Sequence, residues 1–176
     1  MTSPNGIIWT LRTIPETKLW YSIAWSPELG LFAVIAFNEL STDVMTSPNG
    51  IDWTLRTTPP LSPAVNEWLD LIWSPTLGLF VAVAASGGTG NRVMTSPDGI
   101  NWTSRTSAAD KSWNSVTYGN GLFVAVSYTG ASSQIMTSPD GITWTARNAA
   151  GSASTSWRSV TYGNGLFVAV AGSGDP

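Results

Sequence analysis

The chain contains neither cysteine nor histidine in its 176 residues. The first absence excludes a disulfide framework and a thiolate metal site, and leaves the redox compartment unread. The second removes the commonest zinc and copper ligand, the commonest general base and every Ser-His or Cys-His nucleophile pair. Charge is sparse as well, eight basic against eleven acidic residues for a net charge of −3, with no block of one sign. That balance makes nucleic acid and anionic membranes unexpected partners. No apolar run approaches the roughly 20 residues that span a bilayer; one of the longest, Leu79 to Ala85, is bounded by Gly78 and Ser86. The expectation is a soluble protein without membrane insertion, metal or cofactor. Met1 already belongs to the first repeat, so no signal peptide is expected. An extracellular or virion-associated setting fits, but the residues do not fix a compartment.

What the chain does have is repetition. Met-Thr-Ser-Pro-Asp-Gly-Ile-Thr-Trp-Thr begins at Met136, and close copies begin at Met1, Met45 and Met94, at intervals of 44, 49 and 42 residues. Such periods suit propeller blades. We read one domain, 1–176, with repeats at about 1–44, 45–93, 94–135 and 136–176.

Each period holds four strand-like runs. The first alternates small or polar with large apolar residues, as in Ser22–Trp25, Asp70–Trp73, Ser115–Tyr118 and Ser159–Tyr162, which is the period of a strand. It ends in Ser-Pro-x-Leu-Gly or in Gly-Asn-Gly, both hairpin chemistries. The second run, such as Leu79–Ala84 or Leu122–Val126, is apolar on both faces and is expected between neighbouring sheets. The third, Val44–Ser47, Val93–Ser96 and Ile135–Ser138, enters a Pro-Asn-Gly or Pro-Asp-Gly turn. The fourth is Ile7–Arg12, Ile51–Arg56, Ile100–Arg105 and Ile142–Arg147. The fold class is therefore all-β, a β-propeller of four-stranded antiparallel blades. The chain opens on strands three and four and closes on strands one and two, so four blade-equivalents result if N-terminal strands complete the terminal blade. That closure would leave no unpaired edge.

The Ser-Pro-Asp-Gly-x-x-Trp core resembles the Asp-box, or BNR, repeats of sialidase-like propellers, in a shortened form in which Asp98-Gly99 and Asp140-Gly141 are adjacent. The resemblance implies the fold, and as activity a glycoside hydrolase that gathers arginines around a substrate carboxylate with a tyrosine nucleophile and a glutamate partner. The residues favour another reading. Asn5 and Asn49 stand where Asp98 and Asp140 do, and an amide accepts turn hydrogen bonds but cannot shuttle a proton. These four are expected to be structural turn residues. Arg12, Arg56, Arg105 and Arg147 occupy one position per blade, which spreads them around a ring; a solvated outer-strand face is expected for them, with a ring stacked beneath the guanidinium as an option.

Trp9, Trp53, Trp102 and Trp144 follow the turn at equal spacing and are expected to cover the blade core. Trp20, Trp68, Trp113 and Trp157 precede strand one beside a variable loop; packing between blades and stacking platforms for sugars are both open to them, and they are the candidate ligand-binding residues. Antiparallel strands put the near-identical short turns on one rim. On the other lie all the length differences, with Glu16, Lys18, Glu39, Asp43, Glu67, Arg92, Asp110 and Lys111, and recognition is expected there. The functional expectation is a non-catalytic binding module for a glycan or a protein, lectin-like or an interaction platform of the adhesin or phage-tail kind. A hydrolase fragment and a purely structural or artificial repeat protein are the alternatives. The ring is expected to close within a monomer or between two copies in an eight-bladed homodimer.

Overall fold

The computed structural model describes residues 1–39, 44–58, 66–87, 90–129, 132, 134–150 and 155–172. Among them are three complete blades. The first is β1 (Leu19–Ser26), β2 (Leu31–Glu39), β3 (Val44–Ser47) and β4 (Thr54–Arg56). The second is β5 (Asn66–Ser74), β6 (Leu79–Ala84), β7 (Val93–Ser96) and β8 (Thr103–Arg105). The third is β9 (Trp113–Gly119), β10 (Leu122–Ser127), β11 (Ile135–Ser138) and β12 (Thr145–Arg147), and a final pair, β13 (Trp157–Gly163) and β14 (Leu166–Ala171), follows. No helix long and apolar enough to cross a membrane is present among the described residues.

Neighbouring strands in each blade are antiparallel in one recurring register: Phe32 faces Ser47, Phe80 faces Ser96 and Phe123 faces Ser138. The repetition follows from the side chains, since a slip of one residue would turn every apolar group to the wrong face. β6 and β10 are buried over five consecutive positions, because a blade packs on each side of them. Blades one and two are also joined, where Phe37 faces Glu67 and Glu39 faces Asn66, so their strands form one eight-stranded sheet.

Two strand boundaries differ from the sequence reading. The fourth strands begin only at Thr54, Thr103 and Thr145; Ile51 to Trp53 and their counterparts belong to the turn, whose backbone donors are taken by side chains. The first strands begin earlier, and Trp20, Trp68, Trp113 and Trp157 lie inside them. At each, one residue is skipped in the register, Tyr21, Leu69, Asn114 and Arg158 respectively. Such a bulge re-aims the flanking side chain.

Between blades lie apolar clusters. Ala33, Ile35 and Val44 of blade one meet Leu71, Phe80 and Ala82 of blade two, and Val81, Val83 and Val93 meet Val116, Phe123 and Ala125 of blade three. An aromatic set repeats within the blades: Phe80 lies 4.6 Å from Trp73 and 6.1 Å from Trp102, and Phe123 lies 4.6 Å from Tyr118 and 6.2 Å from Trp144, between ring centroids. These tilted geometries suit aromatic quadrupoles.

A polar ladder crosses the first strands. The Ser22 hydroxyl donates to Asp70 Oδ1 (3.2 Å) and accepts from Leu71 N, while Ser115 Oγ and Val116 N donate to Asp70 Oδ2, both at 2.9 Å. Val160 N then donates to Ser115 Oγ (3.3 Å). Asp70 replaces the serine of the other three repeats, and its second oxygen lets it serve blades on both sides.

Gly119 ends β9 where the Tyr162 ring lies against it, so a Cβ there would overlap the ring and Tyr162 Cβ. Gly119→Ala is expected to cost about 1–3 kcal/mol by overpacking, read as a lowered urea midpoint. Gly163→Ala, with open space at the same place one repeat later, should change little in a single chain.

The N-terminal strands are reduced to a hairpin in which Thr2 and Thr10 exchange two backbone hydrogen bonds of 2.9 and 2.8 Å. It sits beside blade one, with Thr2 Cγ2 3.4 Å from where a Gly50 Cβ would lie. Among the described residues, β14 pairs with β13 alone. Among the described residues the expected joining of the chain's own first and last strands in one sheet is thus not made in this structure.

Candidate functional site

The short-turn rim is built four times from one hydrogen-bonded device. Ser96 Oγ accepts from Asp98 N (3.4 Å) and Gly99 N (2.8 Å) and donates to Asp98 Oδ1. Oδ1 also accepts from Ile100 N and Asn101 N at 2.8 and 2.7 Å, and Trp102 Nε1 closes the turn on Gly99 O. The Ser3–Asn5, Ser47–Asn49 and Ser138–Asp140 turns repeat it, with Ile7, Ile51 and Ile142 N–H groups on the side-chain oxygen. Gly6, Gly50, Gly99 and Gly141 have φ of 71–73°, the left-handed region open to glycine. The amide oxygen of Asn5 and Asn49 does the work of the carboxylate.

The device also sets the acidity of its carboxylates. Partial burial pushes Asp98 upward, but the Asn101 N–H, the Asn101 amide, the Ile100 N–H and the Ser96 hydroxyl outweigh it and hold the group at about 2. The Thr143 N–H chiefly lowers Asp140, with Ile142 and Ser138 adding to it against burial. Both folded values lie below the unfolded one, so this stabilisation is complete above about pH 4 and is lost as pH falls toward 2. Asp98→Asn with Asp140→Asn should lower the melting temperature at pH 7, where the charged form's contribution is complete, and flatten the further loss between pH 4 and 2.

The candidate tryptophans do not form a common set of platforms. Trp68 and Trp113 are fully buried between blades, which leaves no ring face for a sugar and corrects that expectation for both. Burial follows from the bulge, which turns them inward, and Trp113 Nε1 donates to Ala109 O. Trp20 and Trp157 are half-buried, since each stands at an end of the blade stack. Of the turn tryptophans, Trp102 and Trp144 are buried and Trp9 is exposed. The four arginines remain separate: Arg12, Arg56, Arg105 and Arg147 each donate Nε to Thr2, Thr46, Thr95 and Thr137. Among the described residues the recorded guanidinium-on-ring contact lies elsewhere, with Arg158 5.0 Å from the Tyr128 ring centroid.

The variable rim is braced by contacts between its loops. Gly90 N donates to Asp110 Oδ1 (2.6 Å), Ser107 N to Gly90 O (2.7 Å), and Ser112 N to Thr129 Oγ1 (3.0 Å). Lys18 lies 3.8 Å from Glu16. Asp43, and the side chain of Glu39, lie outside the described residues. Asp70 and the Arg158–Tyr128 contact were not singled out from sequence; the only signal was the break in the serine position at Asp70. A cavity of about 470 Å³ lies on neither rim but against blade one, lined by Trp20, Ile23, Val34, Met45 and Trp53 among others.

No protein-family profile and no curated protein matches the chain. Solved structures do. The chain is similar to the computationally designed Ika4 protein, with TM-score 0.65, 12% identity and 96% of each chain covered. It is similar to YCF48 bound to D1 peptide, with TM-score 0.57, 14% identity and coverage of 86% of this chain and 46% of that one. YCF48 from Cyanidioschyzon merolae gives TM-score 0.54 at 18% identity, over 76% of this chain and 38% of that one. The chain thus spans less than half of the YCF48 structures. At these identities the likeness is one of fold, and the class is an all-β, propeller-like repeat protein.

Proposed function

We propose that the chain is a non-catalytic propeller scaffold that binds a protein or peptide at its variable-loop rim, each chain contributing four blade-equivalents whose terminal blade is completed by N-terminal strands. The observation that carries this reading is the difference between the rims. On one, the turn donors and acceptors are consumed by the Ser-Asp-Gly device; on the other, loops of unequal length present charged groups from a braced base. The peptide in the YCF48–D1 structure favours a polypeptide ligand on this kind of fold. The buried Trp68 and Trp113 weigh against a lectin, and the separate arginines against a sialidase-like site. We retain the Asp-box resemblance as a proposal about a shared turn, not about shared chemistry.

The test is a screen of the intact chain against a displayed peptide library and a glycan array. Selected peptides should lose at least tenfold in affinity with Lys111→Glu or Glu67→Lys and keep it with Thr76→Lys on the short-turn rim. Binding confined to glycans, or sensitive only to Thr76→Lys, would overturn the assignment.

A further inference from the structure

We infer that the terminal blade is completed by a second copy of this chain, with Met1–Arg12 of one copy adding to the open edge of β14 of the other. The inference rests on the propeller reading but not on the rim as the binding site. It starts from faces that carry interior residues and lack an interior. Ala33 and Ile35 are 0% exposed between blades one and two, whereas their counterparts Val168 and Val170 are 53% and 57% exposed. Leu71 receives those side chains in the second blade and is 3% exposed; its counterpart Ile23 is 57% exposed. The cavity against blade one is lined by Trp20, Ile23, Val34, Met45 and Trp53, which correspond to Trp68, Leu71, Ala82, Met94 and Trp102 of the apolar cluster between blades one and two. It is an unfilled core socket, and β14 is a strand of the matching sequence.

Three further features fit the same junction. Tyr162 and Phe167 lie 4.7 Å apart between centroids, yet Phe167 has no turn tryptophan, while Trp9 is 54% exposed where Trp102 is 6%. Joining the ends supplies each with the other. The polar ladder stops after Val160, and its next rung is Ile23 N on Ser159 Oγ of the other copy. The chain also states the register: Phe80–Ser96, Val81–Thr95 and Ala82–Met94 translate to Phe167–Ser3, Val168–Thr2 and Ala169–Met1. In this structure a chain's own hairpin is not paired with its β14. Two copies placed head to tail satisfy all four ends and close the ring without an edge.

Thr2 spends its backbone groups on Thr10, so Thr2 and Val168 would form a non-hydrogen-bonded pair with close side chains, suited to a disulfide. The chain has no native cysteine. Thr2→Cys and Val168→Cys, made in separate chains, mixed from denaturant and mildly oxidised, should give a covalent heterodimer in more than half the material. In the unmodified chain, exchange of the Phe167 and Ala169 amides should slow at least tenfold on raising the concentration from nanomolar to tens of micromolar. A covalently closed monomer from the double variant with no heterodimer from the mixture, or amide exchange independent of concentration, would overturn the inference. Either result leaves the peptide screen unaffected, and failure of that screen leaves the junction standing.

Discussion

Val170→Asp is expected to turn a two-copy assembly into single chains while leaving the individual chain folded. Val170 is 57% exposed in one chain, so a carboxylate there meets water and costs little. In the completed junction it would occupy the position of Ile35, which is 0% exposed. Burying an unpaired carboxylate costs several kcal/mol, and even about 2.7 kcal/mol weakens association roughly 100-fold. Size-exclusion elution should shift to the smaller species with an unchanged far-ultraviolet spectrum. Elution identical to the unmodified chain would place Val170 in solvent in every state.

Trp113→Ala should act on the chain itself. Trp113 is fully buried within the cluster shared by blades two and three, and its Nε1 donates to Ala109 O in the loop that precedes its strand. Removing so large a side chain typically costs about 3–5 kcal/mol through lost burial and the cavity left behind. Set against the 5–15 kcal/mol of an ordinary domain, such a loss brings the chain near unfolding, readable as a fall in the urea midpoint with the same slope. Trp20→Ala at the equivalent position should cost a single chain much less, because Trp20 is half-buried at the open end. Equal losses at the two positions would show that the repeats do not share the inferred packing.

The period of the Met-Thr-Ser-Pro copies made the blades legible, since turn chemistry and apolar alternation specify hairpins locally. The second strands were legible for the same reason: Leu79–Ala84 is apolar throughout and is covered on both sides. The boundaries were less so. Ile51 and Trp53 look like strand residues, but Asn49 Oδ1 captures the Ile51 and Asp52 N–H groups and holds them in the turn. Trp68 and Trp113 read more readily as packing than as binding residues, yet the sequence left both roles open, because their direction depends on a bulge that no local pattern announces. Asp70 was opaque because its partners, Ser22 and Ser115, lie 48 and 45 residues away. The open edge of β14 was hidden most fully, since sequence order shows that the half-blades are complementary but not which chain joins them.

Light scattering on the unmodified chain at tens of micromolar tests the shared terminal blade most directly. The account predicts twice the chain mass of 18.7 kDa, about 37 kDa, falling to one chain after deletion of Met1 to Trp9. A mass of 18.7 kDa that persists at every concentration would contradict it.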